Sequence, residues 1–384
     1  MSVAYFDANA TSPVDPQVLE ALLPYLKNQY GNPSSTHSFG ASIKEQMEEA
    51  REKLKSLIGA KKPSEIYFTS GATESNNLAF QCVLQASPEK RHIITTAVEH
   101  HSVLRIAENL GKKGYEVTFL PVDQEGQIHF EDLKKALRSD TAIVSIMWVN
   151  NETGVIFPVE RIGSYLKEKK ILFHVDGVQA AGKIVMDVEK SGIDLLSLPA
   201  HKFHGPKGIG ILYMRSGLNL NPLFFGGSQE RSFRPGTQNV PGIIGMGRAA
   251  ELAGEFLIDE NTRVRSLRDS IEQLVRRIPN TRINGANVPR IPNTLNASFL
   301  GLEGEALLLR LDEEGFCASS GSACTAESVD PSHVLKAMGL SNEEALASVR
   351  FSLSRFNMEE EVERLNQILP QLIHDLRSIS SPHN

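Results

Sequence analysis

Apolar and polar positions alternate along the first two-thirds of the chain with two different periods. Short β-rich runs are separated by stretches with helical spacing, and this alternation predicts an α/β unit around a mainly parallel sheet. The predicted strands are Glu65–Thr69, His92–Thr96, Glu116–Val122, Thr141–Val149, Ile171–Val175, Asp194–Leu198 and Gly208–Met214. The predicted helices include Ser102–Lys112, Val159–Lys169 and a stretch from Ile43 to Ile58, after which Gly59 stands where a helix C-cap belongs.

The pattern changes from about Ala249 onward, where strands and helices no longer alternate regularly. A long amphipathic helix is predicted through Ile271–Val275, and strands are predicted at Thr294–Phe299 and Ser348–Leu353. A terminal helix carries the apolar positions Val362, Leu365, Ile368, Leu369 and Leu372. This mixture predicts a second, smaller α+β domain.

Composition narrows the class of protein. The 384 residues are 41% hydrophobic and 22% charged, which is typical of a globular protein. A formal net charge of −6 without a dense basic block gives no electrostatic footprint for nucleic acid, and the apolar runs are too short to cross a membrane. Three cysteines cannot build a disulfide framework, and Met1–Pro13 lacks the pattern of a signal peptide. We therefore expect a cytoplasmic protein.

Polar residues directly follow several predicted strands, and ligands of open α/β sheets bind beyond the carboxyl ends of the strands. These polar segments are Ser70–Asn77, Glu99–Ser102 with His100, Asn150–Gly154, Asp176 with Gln179, and Pro199–Gly208 with Lys202. Each has a simpler interpretation, such as a helix N-cap by Ser70 or Thr73, a surface histidine, a plain turn or a solvated lysine. Their common location at one edge of the sheet favours a shared site.

Together these residue types form a plausible site for pyridoxal phosphate (PLP). A lysine can hold this cofactor as a Schiff base, and a carboxylate can keep its pyridine nitrogen protonated. A helix N-terminus can bind the phosphate, and an imidazole can lie against the ring. The spacing alone does not distinguish PLP from another phosphate-bearing ligand.

Two further features carry candidate chemistry. Cys324 lies in the small, polar stretch Ala318–Glu327, which is typical of an exposed and reactive thiol. Cys82 and Cys317 lie in apolar surroundings that are typical of core residues. In the last predicted strand, alternation places Arg350 on the face opposite the apolar residues. Arg350 either lies on a solvated face or binds a substrate carboxylate with its planar guanidinium.

These motifs resemble the cysteine desulfurases of the NifS/IscS type, which are PLP-dependent members of the class V aminotransferases. The resemblance covers nearly the whole chain, and Ser-Gly-Ser-Ala-Cys-Thr, ending at Thr325, is its most discriminating motif. The matching segments are Tyr5–Thr11, Gly31–Ser35, Phe68–Asn77, Glu99–His100, Val149–Gly154, His174–Gln179, His201–Gly210, Arg234–Thr237, Ser320–Thr325 and Arg350–Phe356. The resemblance implies PLP-dependent transferase fold type I. It also implies a large domain over residues 15–256 with a mainly parallel seven-stranded sheet, and a smaller α+β domain over residues 1–14 and 257–384.

The resemblance implies how the cofactor is held. Lys202 matches the Schiff-base lysine, and Asp176 matches the partner of the pyridine nitrogen. Gln179 matches the residue that hydrogen-bonds the phenolate oxygen, and His100 matches the residue that stacks on the ring. The implied phosphate ligands are Ala72 through its backbone, Thr73, His201 and, from the neighbouring subunit of a homodimer, Thr237.

The resemblance also implies the reaction. Asn151 and Arg350 match the residues that position the carboxylate of L-cysteine, and Cys324 matches the nucleophile that becomes a persulfide while alanine leaves. His100 is the candidate for moving protons around the sulfur, because imidazole titrates near neutrality. The length of the segment after Cys324 resembles the group that passes sulfur to an iron–sulfur scaffold protein of the NifU/IscU type.

One position departs from the family pattern. The family often has serine where Pro199 stands, and that hydroxyl helps to hold the phosphate. Proline has neither a hydroxyl nor an N–H group, so we expect weaker PLP binding than in relatives with serine. The alternative functions are a related class V enzyme, such as an aminotransferase or a selenocysteine lyase, and a docking module without catalytic activity.

Overall fold

The computed structural model describes residues 3–320 and 330–380. The strands in these ranges are β1 Ala4–Tyr5, β2 Ile66–Thr69, β3 His92–Thr96, β4 Glu116–Leu120, β5 Thr141–Ser145, β6 Leu172–Asp176, β7 Leu195–Pro199, β8 Gly210–Met214, β9 Thr281–Ile283, β10 Thr294–Phe299, β11 Phe316–Cys317 and β12 Ser348–Ser352. The helices in the same ranges are α1 Pro16–Lys27, α2 Ser38–Ile58, α3 Ala72–Ala86, α4 His101–Lys112, α5 Phe130–Ala136, α6 Val159–Lys169, α7 Val240–Glu255, α8 Leu257–Asp259, α9 Arg265–Val275, α10 Gly304–Glu313, α11 His333–Ala337, α12 Asn342–Leu346 and α13 Glu359–Ser380. None of these helices has the length and apolarity needed to span a bilayer.

Within the described residues, a seven-stranded sheet with the order β2-β8-β7-β6-β5-β3-β4 forms the larger sheet. The pairs of β3 with β4 and β5, and of β6 with β5 and β7, are parallel, whereas β8 runs antiparallel to both β2 and β7. The mainly parallel sheet predicted from the sequence is therefore confirmed. Strands β3, β5, β7 and β8 are buried at every position, whereas the edge strand β4 is partly exposed.

All seven strands predicted for this sheet are present, and the largest difference in their bounds concerns Thr141–Val149. The strand β5 ends at Ser145, although residues 146–149 are just as apolar. These residues are buried, and Met147 and Val149 line a cavity at the edge of the sheet. The Ile146 and Trp148 N–H groups still donate to the His174 and Asp176 carbonyls of β6 at 3.1 and 2.9 Å. Burial therefore explains why the apolar run continues past the end of the strand.

The predicted helices are confirmed as well. Val159–Lys169 is found with the predicted bounds, and α2 ends as expected at Gly59, whose φ of 66° lies in the left-handed region. The terminal helix α13 buries Val362, Leu365 and Leu369. These agreements follow from apolar periodicity and caps, which are local signals.

A second core lies in the C-terminal part of the chain and includes the N-terminal segment. Strands β9, β10 and β12 form an antiparallel sheet, and β1 pairs in parallel with β11. Ala4 and Phe6 are buried in the same apolar cluster as Leu295, Phe351 and Leu365. The division into residues 15–256 and residues 1–14 with 257–384 stays a prediction, since Ile291 and several residues of 334–345 contribute to the core of the large sheet.

A buried ion pair ties α2 to the loop after β8. The Arg51 guanidinium donates to both Glu230 carboxylate oxygens at 2.8 and 3.0 Å and to the Ile66 carbonyl at 2.7 Å. The Phe68 N–H also donates to Glu230 at 2.9 Å. Arg51 and Glu230 are 2% and 5% exposed, so each charge is stabilised by its partner rather than by water.

We expect Glu230→Gln to lower the free energy of unfolding by about 3–5 kcal/mol, because it leaves the Arg51 cation buried without its counter-charge. Urea unfolding followed by circular dichroism would measure this loss. Glu48→Gln is the matched control, since Glu48 pairs with the same arginine but its side chain is 51% exposed. The control is expected to cost less than about 1 kcal/mol. Equal losses in the two variants would contradict this account.

Candidate active site

A cavity of about 600 Å³ opens beyond the carboxyl ends of the strands of the large sheet. Most of the candidate residues line it, although they are far apart in sequence. The predicted residues in its wall are Ala72, Thr73, His100, Asn151, Asp176, Gln179, His201, Lys202 and Arg350. The roles assigned to these residues stay predictions, but their convergence is an observation.

One end of the cavity is the N-terminus of α3. Its N-cap is Gly71, and no side chain among the described residues caps this helix, so the simpler interpretation of a cap by Ser70 or Thr73 is wrong. A Cβ added at Gly71 would meet no atom within 4 Å, so the space above the first turn is open. First-turn N–H groups have no intrahelical acceptor, and together with the helix dipole they favour an anion such as phosphate.

His201 lines the same cavity. Its Nδ1 atom is 3.2 Å from Thr11 Oγ1. Burial, together with the nearby cations Lys202 and Lys207, lowers the pKa of His201 to about 4. His201 is therefore neutral near pH 7 and can bind a ligand through hydrogen bonds rather than through charge.

Asp176 ends β6 on the floor of the cavity and is 4% exposed. Its Oδ1 accepts from the Val178 N–H at 3.1 Å, and its Oδ2 accepts from Asn76 Nδ2 at 3.0 Å. Asn76 was not among the predicted site residues. It follows Thr73 by about one helical turn, and this spacing on α3 is the sequence signal that could have identified it.

His100 is the N-cap of α4, and its ring is oriented by Ser102. The Ser102 N–H donates to His100 Nδ1 at 3.1 Å, so a neutral His100 carries its proton on Nε2. The same Nδ1 is 2.8 Å from Ser102 Oγ, which in turn accepts from Asn76 Nδ2 at 3.0 Å. Asn76 therefore links Asp176 to His100. Burial lowers the pKa of His100, against the opposing effect of Asp176.

Lys202 closes the short 3-10 turn Ala200–Lys202 that follows β7. Its Nζ atom donates to the carbonyls of Asn9 at 2.6 Å and Ala10 at 2.8 Å. The N-terminal segment thus supplies acceptors for the lysine, and the sequence offered no signal for this contact. A primary amine at a cavity wall is placed for covalent attachment to an aldehyde.

Arg350 lies on β12 and is only 2% exposed, so the interpretation of a solvated strand face is wrong. Its Nη2 pairs with Asp7 Oδ1 at 2.6 Å, and its Nη1 donates to the Asn151 carbonyl at 3.0 Å. These contacts hold the cation in the wall of the cavity. The arrangement can bind a carboxylate inside the cavity.

One predicted residue lies elsewhere, and one falls outside the described residues. Thr237 is exposed in a second cavity of about 970 Å³, which shares Ser70, Thr73 and Glu74 with the first. Within one chain it is therefore not brought into the cavity of Lys202. Cys324 lies outside the described residues. Pro199, at the end of β7, is buried and lines the main cavity.

The chemistry of this cavity fits PLP. Lys202 offers an amine, Asp176 offers a buried carboxylate for a protonated ring nitrogen, and the uncapped start of α3 offers N–H donors for a phosphate. The cavity volume also lies in the range of about 300–1,000 Å³ that is usual for sites of small ligands.

Comparisons with known proteins agree with this site. The chain is 52% identical to cysteine desulfurase 2 of Trichormus variabilis, and the alignment covers 99% of this chain and 95% of that protein. It is 46% identical to the cysteine desulfurase NifS of Azotobacter vinelandii, with the same coverage of 99% and 95%. A solved structure described as a NifS-like protein superposes with a TM-score of 0.91 at 41% identity, covering 97% of this chain and 100% of that one.

The expected fold, PLP-dependent transferase fold type I, is confirmed by the sheet topology together with this structural match. The family model described as aminotransferase class-V matches residues 4–365. Since this match spans nearly the whole chain and includes every described residue of the cavity wall, the chain belongs to the aminotransferase class-V family.

Proposed function

We propose that this chain is a PLP-dependent cysteine desulfurase, which converts L-cysteine to L-alanine and leaves the sulfur on Cys324 as a persulfide. The observation that carries the proposal is the convergence of Lys202, Asp176 and Arg350 in the wall of one cavity. The relatives named cysteine desulfurase, at 52% and 46% identity over 99% of the chain, support the same reaction.

PLP, when bound, supplies an electron sink for the α-carbon of an amino acid. Lys202 would hold it covalently, Asp176 would pair with its ring nitrogen, and Gln179 would donate to its phenolate oxygen. The residues that would bind its phosphate are Ala72, Thr73 and His201, with Thr237 from a second subunit. His100 would lie against its ring.

The substrate is positioned by its carboxylate. Arg350 lines the cavity while Asp7 and the Asn151 carbonyl hold its guanidinium, so its cation is oriented before the substrate arrives. Lys202 Nζ, held by the Asn9 and Ala10 carbonyls, is the amine placed to accept and return the α-proton. A neutral His100 can accept a proton from a thiol near the reacting sulfur.

The sulfur step balances without another reactant. The Cys324 thiolate attacks the substrate sulfur, an S–S bond forms, and the bond between that sulfur and the β-carbon breaks. The electron pair of the broken bond stays with the carbon, which takes up a proton. One thiol and one L-cysteine thus give one persulfide and one L-alanine.

We further propose a homodimer in the cytoplasm that passes its sulfur to an iron–sulfur scaffold protein of the NifU/IscU type. Thr237 and the neighbouring side chains of Phe224 and Phe225, which are 49% and 91% exposed, support a second subunit at the second cavity. A related class V enzyme, either an aminotransferase or a selenocysteine lyase, is the alternative for the same cavity. A docking module without catalytic activity would not need buried cations and carboxylates around this cavity.

We expect Cys324→Ala to keep the visible absorption of bound PLP but to stop the release of alanine and sulfide from L-cysteine in the presence of a thiol reductant. The reason is that the variant lacks the nucleophile while the described cavity is unchanged. Cys317→Ala is the control, because Cys317 is not among the residues that line the cavity, and it should release both products at the wild-type rate. A fully active Cys324→Ala variant would favour the aminotransferase, and a chain that binds no PLP would favour the docking module.

We expect the pH dependence of kcat/KM to contain two separate ionisations. Burial lowers the pKa of His100 from its ordinary value, so its neutral form predominates near neutrality and is lost only at more acidic pH. An ordinary thiol ionises at about pH 8.5, so the Cys324 thiolate would govern the upper part of the profile. The His100→Gln variant should lose about 10²–10⁴-fold in rate and show only the upper ionisation. A profile of His100→Gln that keeps the lower ionisation would exclude His100 as its source.

We expect Pro199→Ser to bind PLP several-fold more tightly, because a hydroxyl at this buried position of the cavity wall can donate to the phosphate. Titration of the cofactor-free protein with PLP would measure the dissociation constant. Pro199→Ala separates the loss of the proline ring from the gain of the hydroxyl. If serine and alanine give the same constant, the hydroxyl does not contribute.

A further inference from the structure

The carboxamide of Gln179 has a partner on each side that was not expected from the sequence. Its Nε2 donates to the Asn9 carbonyl at 3.0 Å, and its Oε1 accepts from Lys183 Nζ at 2.9 Å. Gln179 is 2% exposed and Lys183 is 6% exposed, so both contacts lie in the interior. Gln179 also lines the main cavity, whereas Lys183 lies behind it.

Two neighbours decide which way this carboxamide points. The Lys183 ammonium has only donors, so the carboxamide oxygen faces it, and the Asn9 carbonyl only accepts, so the NH₂ group faces that carbonyl. One hydrogen of the NH₂ group is directed to Asn9, and the other is left for the cavity. A carboxamide rotated by half a turn would set its oxygen against the Asn9 carbonyl and its NH₂ group against Lys183.

We propose that Lys183 is a positioning residue for the cofactor: together with the Asn9 carbonyl, it fixes the Gln179 carboxamide so that an N–H group, and not the oxygen, faces the phenolate oxygen of PLP. This inference rests on the PLP binding proposed above and assigns a function to a buried lysine that the reaction itself does not use. The reversed carboxamide would set an oxygen against an anionic oxygen, which is repulsive.

The surroundings of Lys183 disfavour its cation. Burial, together with the cations Lys202 and Arg350, lowers its pKa to about 7 against the opposing effect of the Glu260 carboxylate. Glu260 is itself 5% exposed, and burial raises its pKa to about 7. A lysine that only filled space here would be replaceable by an apolar side chain of similar length, so a lysine that donates to Gln179 indicates a polar task.

A purely structural role makes a different prediction from a positioning role. If Lys183 only stabilises the fold beside Glu260, its loss changes the free energy of unfolding and leaves the bound cofactor unaffected. If Lys183 acts on the cofactor only through its charge, its effect persists when Gln179 is absent. If it acts by orienting Gln179, its effect disappears in a variant without that carboxamide.

The test is a double-mutant cycle with Lys183→Met and Gln179→Leu, each made in the full chain. The PLP dissociation constant and the pH midpoint of the visible absorption band of the bound cofactor are measured for the wild type, both single variants and the double variant. Gln179→Leu should weaken PLP binding by about tenfold, as expected for the loss of a hydrogen bond to a charged group. Lys183→Met should weaken it by a smaller factor, because the Asn9 carbonyl still favours the observed orientation of the carboxamide. Both should raise the pH midpoint, because a lost donor no longer stabilises the phenolate.

The double variant should match Gln179→Leu in both measurements. Additive effects in the cycle, or a Lys183→Met protein with wild-type affinity and spectrum, would overturn the inference. The double variant Lys183→Met/Glu260→Gln is the control for misfolding, because it also removes the carboxylate that Lys183→Met alone would leave without its cation. Lys190→Met is the control for the loss of a lysine at an exposed site. A wild-type chain that binds no PLP would instead overturn the proposed function.

Discussion

Asn9 is the residue on which the geometry of the site depends, because its polar groups are bound in the interior. Its N–H donates to Ser352 Oγ at 3.0 Å, and its Nδ2 donates to the Asn151 carbonyl at 3.1 Å and to Thr294 Oγ1 at 2.9 Å. Its Oδ1 accepts from Asn293 Nδ2 at 3.2 Å. Since Asn9 is 1% exposed, each lost contact would leave a buried polar group unsatisfied, at about 1–3 kcal/mol.

The carbonyl of the same residue serves the cavity, where it accepts from Lys202 at 2.6 Å and from Gln179 at 3.0 Å. The segment that carries it is anchored just upstream, where Ala4 and Phe6 are buried in the C-terminal core. The position of the reactive lysine therefore depends on the packing of that core. A shift of the N-terminal segment would move the acceptors of Lys202 and Gln179 together.

Sequence reasoning located the residues that obey a local rule and missed those that depend on distant contacts. Asp176 and Lys202 follow predicted strands, and the rule for the carboxyl ends of parallel strands places them at one edge. Asn9 and Thr294, by contrast, are 285 positions apart, and no periodicity relates them. Alternation gave the correct face for Arg350, but not its burial, because the covering surface comes from the N-terminal segment. Lys183 was not among the predicted site residues, because the pattern does not show that its side chain is buried against Gln179.

Burial also determines the charges that a ligand meets in this cavity. His100 and His201 are neutral near pH 7, because desolvation lowers the pKa of both rings and the nearby Lys202 adds to the effect. The cations that remain in the wall are Lys202, Lys207 and Arg350. Since a cleft with cations in its wall concentrates anions, the cavity favours a ligand with a phosphate and a substrate with a carboxylate at the same time. The neutral imidazoles stay available as acceptors and donors, which a doubly protonated ring would not be.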